Sequence, residues 1–88
     1  MSSTTLRSTL TAPRDGIMTD EVGTVTGELE LATDCSGGDV TVWLRYSGAT
    51  EWYRISAADC HVHDVRDHEA VHHALTAVLH RPTAHLAG

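Results

Sequence analysis

Val40-Thr41-Val42-Trp43-Leu44-Arg45-Tyr46-Ser47-Gly48-Ala49-Thr50-Glu51-Trp52-Tyr53-Arg54-Ile55 reads as two strands joined by a tight turn. Val40, Val42, Leu44 and Tyr46 alternate with Thr41, Trp43 and Arg45, the period of a strand with two unlike faces. Gly48 in the first central position predicts a two-residue type II′ loop made of Gly48 and Ala49. Ser47 then faces Thr50, and the pairing runs through Arg45 opposite Trp52, Leu44 opposite Tyr53, Trp43 opposite Arg54 and Val42 opposite Ile55. Leu44, Tyr53, Val42 and Ile55 share an apolar face. Trp43, Arg54, Arg45 and Trp52 share the other, as two crossed Trp–Arg pairs. A slip of one residue would mix the two sets, so the side chains themselves select this register.

Upstream, residues 22–33 also alternate, with Val25, Leu29 and Leu31 on one face and Thr24, Glu28 and Glu30 on the other. Asp34-Cys35-Ser36-Gly37-Gly38-Asp39 has the composition of a turn. Three antiparallel strands in sequence order make a meander. Downstream, residues 64–80 carry Val71, Ala74, Leu75, Val78 and Leu79 at helical spacing. Asp64 or Asp67 can cap this helix, and Pro82 ends it by disfavouring helical backbone at Arg81. The fold expected is α+β: a three-stranded antiparallel meander followed by one C-terminal amphipathic helix packed on one sheet face. Residues 83–88 show no clear period.

Residues 1–21 hold scattered Ser and Thr, Pro13 and Gly16, and read as a flexible, disordered N-terminal arm before a single small domain at 22–88. Met18 offers a second candidate start of translation. Eighty-eight residues give a domain that buries only ~60% of the surface its unfolded chain exposes. Such domains gain stability from disulfides, metals or partner subunits.

Twelve acidic residues stand against six arginines, with no lysine, for a formal charge of −6. That field repels phosphate backbones and anionic lipid, so neither nucleic acid nor a membrane is an expected partner. The Ser/Thr-rich start lacks the apolar core of a secretory signal, which predicts a cytoplasmic protein. Lysine, asparagine, glutamine and phenylalanine are absent while Ala, Arg and His are plentiful, the codon bias of a high-GC bacterium.

One helix covers one face of a small sheet, which leaves Trp43, Arg45, Trp52 and Arg54 on the uncovered face. Trp and Arg are enriched at binding hot spots. The same side chains also stabilise a hairpin unaided, through cation–π and cross-strand contacts worth ~0.5–1 kcal/mol each. The expectation is a non-enzymatic association module, homodimeric through this face, with another protein as the alternative partner.

All seven histidines lie beyond residue 60. His68 and His72 stand one turn apart on the helix, the i,i+4 spacing that clamps a metal, with His61 and His63 just upstream. A zinc or nickel site at His61, His63, His68 and His72 is the alternative function. His68-Glu69-Ala70-Val71-His72 also matches HExxH, the metal-and-base helix of zinc hydrolases. So short a chain leaves little wall for a substrate cleft, which puts hydrolysis third. The plain reading keeps these histidines in solvent. Cys35 and Cys60 fall at the same end of the meander, separated by the middle strand at ~10 Å, and are expected as free thiols. Titrating seven histidines predicts lower solubility and a lower melting temperature at pH 5.5 than at pH 7.5.

Overall fold

The hairpin closes in the register its side chains demand. In the computed structural model, which describes residues 3–80, Leu44 pairs with Tyr53 and Trp43 with Arg54. The Ile55 N–H donates to the Val42 carbonyl at 3.0 Å. The loop differs from the expected type II′ turn. Ala49 N–H bonds the Tyr46 carbonyl at 2.9 Å, and Gly48 takes φ +81° as the third residue of that turn. Ser47 keeps a negative φ, so the geometry is type II, which wants its glycine one place later. The second strand of the hairpin therefore pairs only from Tyr53, and Trp52 lies outside the ladder.

The strands are β1 (Thr4–Thr11), β2 (Ile17–Thr19), β3 (Gly23–Val25), β4 (Glu28–Ser36), β5 (Asp39–Tyr46), β6 (Tyr53–Arg54) and β7 (Cys60–His61). Turns of 3-10 helix at Ser56–Ala58 and Val65–Asp67 precede one helix, α1 (His68–Leu79). The main sheet is antiparallel in the order β1-β4-β5-β6, and β7 pairs further along β5. β2 and β3 form a separate two-stranded ribbon. The helix stop assigned to Pro82 and the tail at 83–88 lie outside the described residues.

The α+β class holds, but a three-stranded meander is too small: the main sheet has five strands. The largest difference is at the N-terminus. Thr4–Thr11, read above as part of a disordered arm, pairs along its whole length with β4, from Thr4 opposite Cys35 to Thr11 opposite Glu28. Leu10 is 2% exposed, so this strand carries core. Thr and Ser on both of its faces hid the alternation of Leu6, Ser8 and Leu10. The segment 22–33 breaks at Gly27, whose φ of +89° separates β3 from β4. The turn at 34–39 shortens to Gly37 and Gly38, both at positive φ, the backbone of a type I′ hairpin.

Leu10, Leu29, Leu31, Val42 and Leu44 fill the space between sheet and helix, with Leu75 and Leu79 packed against them. A smaller cluster of Cys35, Val40 and Val62 receives Val71. Asp64 starts the helical region by accepting the Arg66 N–H at 2.9 Å, and the Arg66 guanidinium holds its carboxyl below the usual range. The helix sits rotated from its expected stripe. Val78 is 77% exposed, whereas His68 and His72 are 3% and 6% exposed.

Gly38 meets its neighbours closely. A Cβ there would lie 2.8 Å from the Val62 carbonyl oxygen, at a φ of +90°. Left-handed backbone alone costs an L-residue ~1–2 kcal/mol. Gly38→Ala is expected to lower the melting temperature by about 5–15 °C at the usual ~4–8 °C per kcal/mol. A melt matching the native protein would show that the Val62 loop yields freely.

Candidate functional site

Two constellations hold the chemistry of this domain, one on each face of the sheet. On the face away from α1, the type II turn frees Trp52 to lie back across its neighbours. The Arg45 guanidinium carbon sits 4.5 Å from the centre of the Trp52 ring and that of Arg7 5.4 Å away. Arg54 lies 4.8 Å from the Trp43 ring. Carboxylates fix the arginines in turn. Arg45 Nη2 donates to both oxygens of Glu30 at 3.1 Å, and Arg54 pairs with Asp59. Trp43 Nε1 donates to Thr41 Oγ1 at 3.2 Å.

Ala32, opposite both Trp43 and Arg7 in register, is the small residue between these large ones. It floors an open slot of about 340 Å³ walled by Arg7, Asp34, Trp43 and Trp52. Thr5 Oγ1 donates to Asp34 at its rim, 2.8 Å away. The sequence reading identified Trp43, Arg45, Trp52 and Arg54 and missed Arg7, because it placed β1 in the arm. Preformed stacking holds the indoles and guanidiniums in one arrangement, so little side-chain entropy remains to be lost on contact.

On the helix side, Thr33 breaks the apolar inward row of Leu29, Leu31 and Cys35. It is fully buried. Its Oγ1 lies 2.8 Å from His68 Nε2 and 2.7 Å from His72 Nδ1. The other nitrogen of His72, Nε2, lies 2.7 Å from Ser8 Oγ. Ser8, His72, Thr33 and His68 thus form one hydrogen-bonded chain from β1 through α1 to β4. Thr33 has a single hydroxyl proton and two imidazole neighbours, so it donates to one ring and accepts from the other. Neutral histidines satisfy every member of the chain.

These histidines are therefore buried structural partners rather than the solvated residues expected. Within the HExxH segment three of the four His68 and His72 ring nitrogens have hydroxyl partners, and Glu69 is exposed on the outer side. His61 stands elsewhere, exposed, with Nδ1 2.9 Å from Asp39 Oδ1. His63 meets His61 edge to face at 6.2 Å between ring centres. The proposed ligands thus split into two separate pairs. Among the described residues no group of three or more His, Cys, Asp or Glu side chains is placed to hold a metal. Cys35 and Cys60 are free, and Val40 of β5 separates them in register.

Burial pushes the His72 pKa down from its ordinary 6.5, and the nearby His68 and His73 push it the same way. The folded chain then binds its proton at lower pH than the unfolded chain does. The resulting stability is full above about pH 6.5 and is lost as pH falls through the lowered value. A lower melting temperature is expected at pH 5.5 than at pH 7.5, and His72→Gln should flatten the difference. Equal melting of the native protein at both pH values would contradict it.

Among the described residues no helix is long and apolar enough to cross a membrane. Compared with known protein families, curated proteins and solved structures, the chain matches none.

Proposed function

We propose that this domain is an association module whose Trp/Arg sheet face packs against the same face of a second copy. The observation that carries the reading is the uncovered slab of two indoles and three guanidiniums around the Ala32 slot. Rigid Trp and Arg in a partly dry, preformed arrangement are the anchors of binding hot spots.

Charge argues for a second copy as partner. The whole chain carries −6, yet on this face Arg7, Arg45 and Arg54 interleave with Glu30, Asp34 and Asp59. A patch with both signs interspersed can meet itself across a two-fold axis without net repulsion. The small core supplies the motive, because a domain of this length gains stability by covering a face. Sedimentation equilibrium at tens of micromolar, followed with indole emission, tests the reading. Self-association with a blue shift of the emission is the expected result. A monomer whose emission does not move with concentration would overturn it.

A further inference from the structure

The two edges of the main sheet are finished very differently. At the β6 edge the backbone is covered. Arg54 N–H donates to Glu21 Oε1 at 2.8 Å, its carbonyl accepts from Asp20 N at 2.9 Å, and Ser56 N–H donates to Asp20 Oδ1 at 3.2 Å. In the gap between β6 and β7, Asp59 Oδ1 takes the Val42 N–H at 3.0 Å. These open groups of Val42, Arg54 and Ser56 all meet acidic residues of the adjoining loops.

Among the described residues the β1 edge is covered at one end only. Ala12 N–H bonds the Gly27 carbonyl across the β4 side at 2.9 Å, so the even-numbered residues of β1 turn their amides inward and the odd-numbered ones turn outward. The outward Thr11 N–H is taken by His80 Nδ1 at 3.0 Å. No described residue bonds the outward N–H and C=O groups of Thr5, Arg7 or Thr9. The strand has eight residues, no proline, no lysine and one charge, Arg7. Native edges of this length are normally blunted by charge, proline, bulges or a covering loop. Among the described residues the β6 edge is covered, and β1 from Thr5 to Thr9 is left as a template.

We infer that β1 is a strand-addition edge and that its occupant is β1 of a second copy, paired antiparallel about a two-fold axis at Ser8. In that register Arg7 lies opposite the partner's Thr9, and Leu6 opposite the partner's Leu10. An axis at Arg7 would set two guanidiniums directly opposite each other, which cross-strand pairing disfavours. The edge also lacks the carboxylates that give the chain its charge, so two copies meet here with little of the general repulsion. The flanking surface permits the approach. Beside the edge runs a groove of about 280 Å³ lined by Ser8, Thr9, Thr76 and Ala77 with His73 and His80. A two-fold axis at Ser8 places the two copies of α1 on the same side of a continuous sheet, with this groove between them. The pairing leaves both indoles of the Trp/Arg face open and shares with that face only Arg7, which stacks on Trp52, so indole exposure tells the two surfaces apart.

The test is amide exchange by NMR over rising protein concentration, read at Thr5, Arg7 and Thr9 in the native protein and in two charge variants. The expected result is protection that grows with concentration. Thr9→Lys should move its midpoint about 3–10-fold upward and Thr9→Glu a similar factor downward, since each faces the partner's Arg7 twice per dimer. Within one subunit Thr9 lies opposite Glu30, so melting temperature at dilution should shift in the opposite sense, up for Lys and down for Glu. That inversion separates pairing from folding. Free exchange at every concentration would overturn the inference, as would midpoints that move together. Protection independent of concentration and lost on deleting residues 81–88 would also overturn it, by showing that the chain's own tail covers the edge.

Discussion

Thr33→Val is expected to be the most damaging conservative change in this protein. Valine fills nearly the same volume but removes the one hydroxyl that serves both His68 Nε2 and His72 Nδ1. Each buried polar group left without a partner costs ~1–3 kcal/mol. The loss should reach about 2–5 kcal/mol, a large share of the stability of a small domain. Urea unfolding would read it as a midpoint shift at constant slope. Thr33→Ser is the control, because it keeps the hydroxyl and gives up one methyl, worth ~1 kcal/mol. If valine proved as stable as threonine, the two histidines would have to find other partners, and the hydrogen-bonded chain would not anchor the helix.

The second large effect is expected on the opposite face. Trp43→Ala removes the ring that Arg54 stacks on and one wall of the slot. Truncating a hot-spot tryptophan costs association ~2 kcal/mol or more, which raises the dissociation constant of the face-to-face dimer roughly thirtyfold. Folding should suffer less, since Trp43 is only partly buried and makes none of the contacts of the helix-side core. The circular dichroism spectrum should therefore stay close to native while self-association weakens. A variant that associated as tightly as the native chain would remove Trp43 from the interface.

How far these features were legible depended on how unlike the two faces of each element are. The β5–β6 register could be read because Val42, Leu44, Tyr53 and Ile55 share nothing with Trp43, Arg45, Trp52 and Arg54. β1 could not, because Thr and Ser occupy both its faces and Ser8 stands in its inward row. The missing strand hid Arg7, and with it one wall of the slot. The helix rotation was missed because Ala74 and Val78 complete a plausible stripe by hydropathy alone. Yet a clue was present. Thr33 stands among inward-facing leucines, and a buried hydroxyl needs a partner. His68 and His72, one turn apart beside the apolar stripe, could bring two ring nitrogens to it. Spacing suggested metal ligands, and the sheet beneath places the Thr33 hydroxyl between the two rings.

Hydrodynamic size alone would not distinguish dimers formed through the Trp/Arg face from dimers formed along β1. Iodide quenching of the two indoles does, because strand pairing leaves that face open while face-to-face packing covers it. Measured from sub-micromolar to hundreds of micromolar protein, the quenching constant should fall as the dimer forms and level off when association is complete. A constant that stayed the same across that range, while sedimentation showed dimers forming, would contradict the assignment of the Trp/Arg face as the association surface.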